Sequence, residues 1–190
     1  VLAMDISGSM LARDFQPDRL TAAKQIASEF VADRTGDRLS VVAFAGEAYT
    51  QCPLTSDQAT VQTMLSRLRS GVIDDGTAIG NGLGTAINRL RESGAKSKVV
   101  ILLTDGVNNR GQISPHMAAE IAAELGIKVY TIGVGRRGTA PYPAQDIFGN
   151  MTTVMAEVEI DEELLRDIAS TTGGEYFRAT DKQTLEAVYE

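Results

Sequence analysis

Three near-continuous apolar runs constrain this chain more than any other feature. Residues 98–104 read KVVILLT, residues 39–45 LSVVAFA and residues 127–134 IKVYTIGV. A strand without polar alternation has no face to show to water, so such runs belong in a parallel sheet covered on both sides. The segments between them carry apolar residues at helical spacing. In residues 19–34, after the capping Asp18, these are Leu20, Ala23, Ala27, Phe30 and Val31. In 57–69 they are Val61, Leu65 and Leu68, behind a capping box formed by Thr55 and Gln58. In 79–91 they are Ile79, Leu83, Ile87 and Leu90, and in a helix running from Ser114-Pro115 to Leu125 they are Ala118, Ile121, Ala122 and Leu125. Two more helices are expected at 161–170, between the cap Asp161 and Gly173, and at 182–189. Shorter strands fit residues 1–4, 48–53 and 175–178, with Pro53 placing the second at a sheet edge. The alternation predicts an α/β fold: a doubly wound, mostly parallel central sheet with helices on both faces and one short antiparallel edge strand.

At 190 residues the chain makes one such domain, spanning 1–190, with room for a sizeable core. Residues 135–158 are too long and irregular for an ordinary strand-to-helix link. Gly138, Pro141 and Pro143 mark loop, and Phe148-Gly149-Asn150 falls between two partly apolar runs, so an inserted hairpin covering a sheet edge is expected there. The formal net charge of −7 argues against a nucleic-acid partner, which needs a basic face. Cys52 is the only cysteine and His116 the only histidine, which removes an intrachain disulfide, a histidine-cluster metal site and a Ser-His-Asp arrangement. Cys52 reads as partly exposed. No stretch approaches the roughly twenty apolar residues of a membrane span. The chain opens in mid-strand and is expected to be a piece of a longer protein, any membrane anchor lying outside it.

Chemistry concentrates where strands end. The opening run VLAM leads into Asp5, with Ser7 and Ser9 at alternate positions and Gly8 between them to let the backbone curl. KVVILLT leads into Asp105-Gly106, and Asp75-Gly76-Thr77 precedes a helix start. In an open α/β sheet, strand carboxyl ends share one rim, and neighbouring strands are only ~5 Å apart. Two carboxylates (Asp5, Asp105) and three hydroxyls (Ser7, Ser9, Thr77) are therefore expected to converge. Hard oxygen donors of this kind suit magnesium or manganese, not zinc or copper. The glycines of Gly76 to Gly84 (GTAIGNGLG) lack the G-K-[ST] of a phosphate loop and read as letting a helix start pack beside the ion.

DISGS at 5–9, GTAI at 76–79 and TDG at 104–106 resemble the von Willebrand factor A domain and its metal-ion-dependent adhesion site, in that family's order and over essentially the whole chain. The resemblance implies a Rossmann-like fold and a bound Mg2+ (or Mn2+ or Ca2+). It implies direct contacts to the ion from Ser7, Ser9 and Thr77, with Asp5 and Asp105 acting directly or through water. A carboxylate from a partner protein would complete the coordination. The stretches DISGSMLARDFQPDRL and EVEIDEELLRDIASTTGGEYFRATD are similar to bacterial Bat-type aerotolerance proteins (BatA and BatB). That likeness implies a module anchored at the bacterial inner membrane, on the periplasmic side, working with other Bat-type proteins and a MoxR-type AAA+ ATPase.

The site therefore reads as a metal-gated protein-recognition module rather than an enzyme. The alternative is a magnesium-dependent phosphatase or phosphotransferase with Asp5 as nucleophile. Such chemistry calls for a second acid near the nucleophile and a cationic side chain for the phosphoryl group. Position 7 is instead a serine, and Arg13 and Arg110 read as solvated.

Overall fold

The computed structural model describes residues 1–189. Its strands are β1 (Leu2–Asp5), β2 (Leu39–Phe44), β3 (Ala48–Thr55), β4 (Lys98–Thr104), β5 (Ile127–Val134), β6 (Thr139–Gln145), β7 (Met151–Glu157) and β8 (Tyr176–Ala179). The helices are α1 (Arg19–Ala32), α2 (Gln58–Ser66), α3 (Ile79–Arg91), α4 (Pro115–Glu124), α5 (Glu162–Thr172) and α6 (Lys182–Tyr189), with a 3-10 turn at Gly8–Leu11. Six strands form one sheet in the order β3-β2-β1-β4-β5-β8, with every neighbour pair parallel except β2 and β3. The chain winds outward from β1 through β2 and β3, then returns to β4 on the other side of β1. Connections thus diverge between β1 and β4, and a crevice opens at their carboxyl ends.

Side chains alternate across the sheet. Leu2 and Met4 of β1 join Val41 and Ala43 of β2 in a core closed by α1, α2 and α6, through Ile26, Leu65 and Leu185. Ala3, Val42, Phe44, Val100 and Leu102 face the other way, under Leu83 of α3, Ala122 of α4 and Leu165 of α5. Each fully buried Val, Leu, Ile, Phe or Met among them stabilises the fold by roughly 1.5–3 kcal/mol.

Local expectations fail in instructive places. The cap of α2 is Asp57, whose carboxylate accepts from Thr60 N at 3.1 Å, while Thr55 closes β3 and accepts from Asp57 N. β3 is not short: it spans eight residues against six in β2, and register shifts absorb the irregularity near Cys52. Cys52 itself is buried, packed into the α1/α2 side of the core. On α4 the small residues Ala118, Ala119 and Ala122 take the buried face, leaving Ile121 and Leu125 exposed, the latter at the C-cap. The α3 glycines allow close packing of the helix on its neighbours. A Cβ on Gly80 would collide with the Ile113 carbonyl, so this glycine lets the loop before α4 lie on α3.

The hairpin of β6 and β7 is a separate two-stranded sheet, and among the described residues it pairs with neither edge strand of the main sheet. It docks at the crevice instead, where Arg13 N donates to Pro141 O at 2.9 Å. Ile147 and Phe148 near its tip and Met151 and Met155 on β7 are exposed, Ile147 by 93%.

Candidate metal centre

Register places the first acid. Met4 stands beside Leu103, so Asp5 comes level with Thr104, one residue before Asp105. Asp5 is fully buried; its Oδ1 accepts from Ser7 N at 2.8 Å and its Oδ2 from the Thr104 hydroxyl at 2.7 Å. Ser7 Oγ and Ser9 Oγ lie 2.9 Å apart, and the Ser9 hydroxyl donates to Asp105 Oδ1 at 2.6 Å. One hydrogen-bonded chain thereby joins two loops 96 residues apart. Gly8 opens the 3-10 turn at Gly8–Leu11, the expected curl that brings the two hydroxyls together, and does so without a left-handed φ. A Cβ there would press to 3.1 Å from Asp75 Oδ2, and its N–H donates to Asp75 Oδ1 at 2.9 Å, so a larger residue would crowd that exposed carboxylate.

Thr77 arrives from the other side. It is buried, its N–H donates to Asn109 Oδ1 at 2.9 Å, and its carbonyl accepts from the N–H of Asn109. Its hydroxyl rests against Gly106, 3.0 Å from where a Cβ would stand. Asn108 Oδ1 accepts from Ile79 N, capping α3 from a distance because the N-cap residue, Ala78, has no acceptor. Ser9 and Gly106 are half-buried, so the cluster opens to solvent between them.

Arg19 was not among the candidates, and it organises one flank. Fully buried at the start of α1, its guanidinium grips Asp14 with Nε and Nη2, each at 2.7 Å, and reaches Asp105 Oδ2 with Nη1 at 2.8 Å. Nη1 also donates to the Tyr142 hydroxyl of the hairpin at 3.1 Å. A sequence signal existed: positions 19, 22, 23 and 26 lie at helical spacing, so Arg19 is a charge on the apolar stripe of α1. The supporting roles of Thr104, inside the TDG motif, and of Asn108 and Asn109, just after it, also lie outside the candidate set. Arg13 and Arg110 are exposed, and Met10 and Phe15 are buried beneath the loop.

The electrostatics are asymmetric. Burial first, then the neighbouring Asp105 charge, pushes the Asp5 carboxyl up to about 7, against the hydrogen bonds from Ser7 and Thr104. Burial also raises Asp105, opposed by Arg19. Burial alone would raise Asp14, but the Arg19 guanidinium and Arg136 N hold it below the usual carboxylate range. With all three acids ionised, one guanidinium leaves two negative charges uncompensated at the crevice. Among the described residues no three His, Cys, Asp or Glu side chains group as a metal cluster. The available donors are instead two carboxylates and three alcohols, a set that fits a hard divalent cation and balances the excess charge.

A family model described as the von Willebrand factor type A domain matches residues 1–190. The conserved hypothetical protein BatB from Bacteroides thetaiotaomicron is 34% identical, with a TM-score of 0.84 over 99% of this chain and 93% of that one. An aerotolerance-related membrane protein from Bacteroides fragilis is 31% identical, with a TM-score of 0.83 over 99% and 94%. Proximal thread matrix protein 1 from the mussel byssus, described with a zinc-occupied MIDAS motif, is 26% identical, with a TM-score of 0.73 over 97% of this chain and 42% of that one. The chain spans 53% and 60% of two of the curated relatives it matches.

Proposed function

The chain belongs to the von Willebrand factor type A domain family and resembles the Bat-type proteins, and from that premise we propose that it is a divalent-cation-dependent protein-recognition module, not an enzyme. Ser7, Ser9 and Thr77, with Asp5 and Asp105, would hold the cation. When bound, the ion supplies an electrophilic position for an anionic oxygen, which we assign to a Glu or Asp side chain of the partner. Magnesium or manganese suits the oxygen donors best. The observation that carries this reading is the Ser9–Asp105 contact at 2.6 Å, which closes two distant loops around two buried acids. The exposed apolar side chains of the hairpin beside the crevice support a protein surface as the partner. The one buried guanidinium near the acids is occupied by Asp14 and Asp105, which disfavours the phosphatase reading, where a cation must be free for the phosphoryl group.

The Bat-type likeness supports a wider assignment. We place the whole protein at the bacterial inner membrane, with this module on the periplasmic side, in an aerotolerance or stress complex with other Bat-type proteins and a MoxR-type AAA+ ATPase. No described helix is long and apolar enough to cross a membrane, so the anchor in this proposal lies outside the chain. A pull-down from intact cells with magnesium, with chelator, and with Asp5→Ala in magnesium tests it. Bat-type proteins and the ATPase should be retained only by the unaltered protein in magnesium. Equal retention under all three conditions would reject cation gating.

A further inference from the structure

Arg19 occupies a position that stability alone does not explain. A buried ion pair is often no better than well-packed apolar residues of the same volume. Here the guanidinium is divided between two jobs, and the division is geometric. Nε and Nη2 hold both oxygens of Asp14, while Nη1 is shared between Asp105 Oδ2 and the Tyr142 hydroxyl. Asp105 is consequently fixed from two sides, by Arg19 at Oδ2 and by the Ser9 hydroxyl at Oδ1. Its rotation is set, and Oδ1 is directed at the serine loop.

The other side of the guanidinium carries the hairpin. Tyr142 belongs to β6 and meets Arg19 both by its hydroxyl and by its ring, 5.6 Å from the guanidinium carbon. Just before β6, Arg136 N donates to Asp14 Oδ2 at 2.9 Å. A Cβ on Gly135 would stand 2.9 Å from Arg19 Nη2, so the chain leading into the hairpin also closes over the guanidinium. The hairpin therefore rests on the same Asp14–Arg19 pair that orients Asp105.

We propose that Arg19 is a positioning residue of the ion site and that it couples the site to the hairpin. The inference rests on the metal reading above. A cation and a guanidinium that share the Asp105 carboxylate each change the other's hold on it, and linkage makes the effect reciprocal. Ion uptake must then be felt by the amides of residues 139–157, although none of them is a candidate ligand. Conversely, whatever displaces the hairpin must change the affinity for the ion.

The test combines calorimetric titration of the full chain with Mn2+ or Mg2+ and hydrogen exchange of the hairpin with and without saturating ion. In the unaltered protein, ion binding should change hairpin exchange by about fivefold or more, a usual size for coupling between sites. Tyr142→Phe keeps the ring and removes only the hydroxyl. It should still fold and take up the ion, yet lose most of that exchange response. Arg19→Lys keeps the charge but not the fork, and should weaken ion binding by about 10-fold, as losing a ligand's outer partner commonly does. Ion uptake with an unresponsive hairpin, or a Tyr142→Phe variant whose response is undiminished, overturns this proposal alone. An Arg19→Lys variant with unchanged ion affinity does the same. No uptake by the unaltered chain overturns the metal reading and this inference with it.

Discussion

The two acids of the site stand on neighbouring strands and live in opposite surroundings. Asp5 ends β1 and is held only by neutral donors, the Ser7 amide and the Thr104 hydroxyl. Asp105 follows β4 and is held by a guanidinium as well as a hydroxyl. Both are buried, so the difference is one of charge compensation rather than exposure. Asp105 shares the Arg19 guanidinium with Asp14, a group that keeps one net negative charge; Asp5 has no cationic partner in the chain. A fold that buries such a charge loses stability unless something cationic arrives, which is why we locate the need for an ion at Asp5 and its orientation at Asp105.

The sharpest way to break the comparison is to neutralise each acid in turn. Asp105→Asn weakens the hydrogen bonds that Arg19 and Ser9 donate to it, offset in part because burial raises this acid too, and should cost about 1.5 kcal/mol of unfolding free energy in cation-free urea melts. Asp5→Asn should do the reverse. It deletes an uncompensated buried charge, so the cation-free variant should unfold at higher urea than the unaltered chain while losing ion uptake. Matching losses for the two variants would remove the asymmetry.

The same charge predicts a pH dependence. An acid whose folded pKa is raised binds its proton more tightly in the folded chain than in the unfolded one, so stability falls as pH rises between the two values. For Asp5 that window runs from about 4, the ordinary carboxylate value, to about 7. The cation-free unfolding midpoint should drop across it, and saturating magnesium should flatten the drop. A smaller effect is expected from Thr104→Val, which takes one hydrogen bond from Asp5 and should cost about 1.5 kcal/mol where that acid is ionised, with less loss at pH 5 than at pH 8. The smallest belongs to the hairpin tip: Phe148→Ser should alter stability by less than about 0.5 kcal/mol and weaken only the capture of a partner.

Much of the architecture was legible because burial on both faces leaves an unambiguous mark. KVVILLT, LSVVAFA and IKVYTIGV could only be inner strands, and the polar residues at their ends had to share a rim. Asp105 follows one such end, while Asp5, Ser7 and Ser9 follow the shorter run VLAM, and the structure brings these loops into hydrogen-bond contact. What failed to show was whatever depends on a partner chosen in three dimensions. Arg19 falls on the apolar stripe of α1, which hints at burial, but nothing along the chain names Asp14, Asp105 and Tyr142 as its partners. Thr104 reads as one more β-branched strand residue. The hairpin's proline-rich pattern announced an irregular insertion but not its footing, since one main-chain bond from Arg13 and one tyrosine hydroxyl leave no periodic trace. Asp57 displaced the expected capping box because β3 ran on to Thr55.

The most direct measurement is a calorimetric titration of the cation-free chain with Mg2+ and Mn2+, run beside Asp5→Asn and repeated with glutamate-containing peptide present. The account predicts saturable one-to-one uptake by the unaltered chain, strengthened by the acidic ligand and absent from the variant. Uptake equal in both proteins, or none in either even with the acidic ligand supplied, would contradict it.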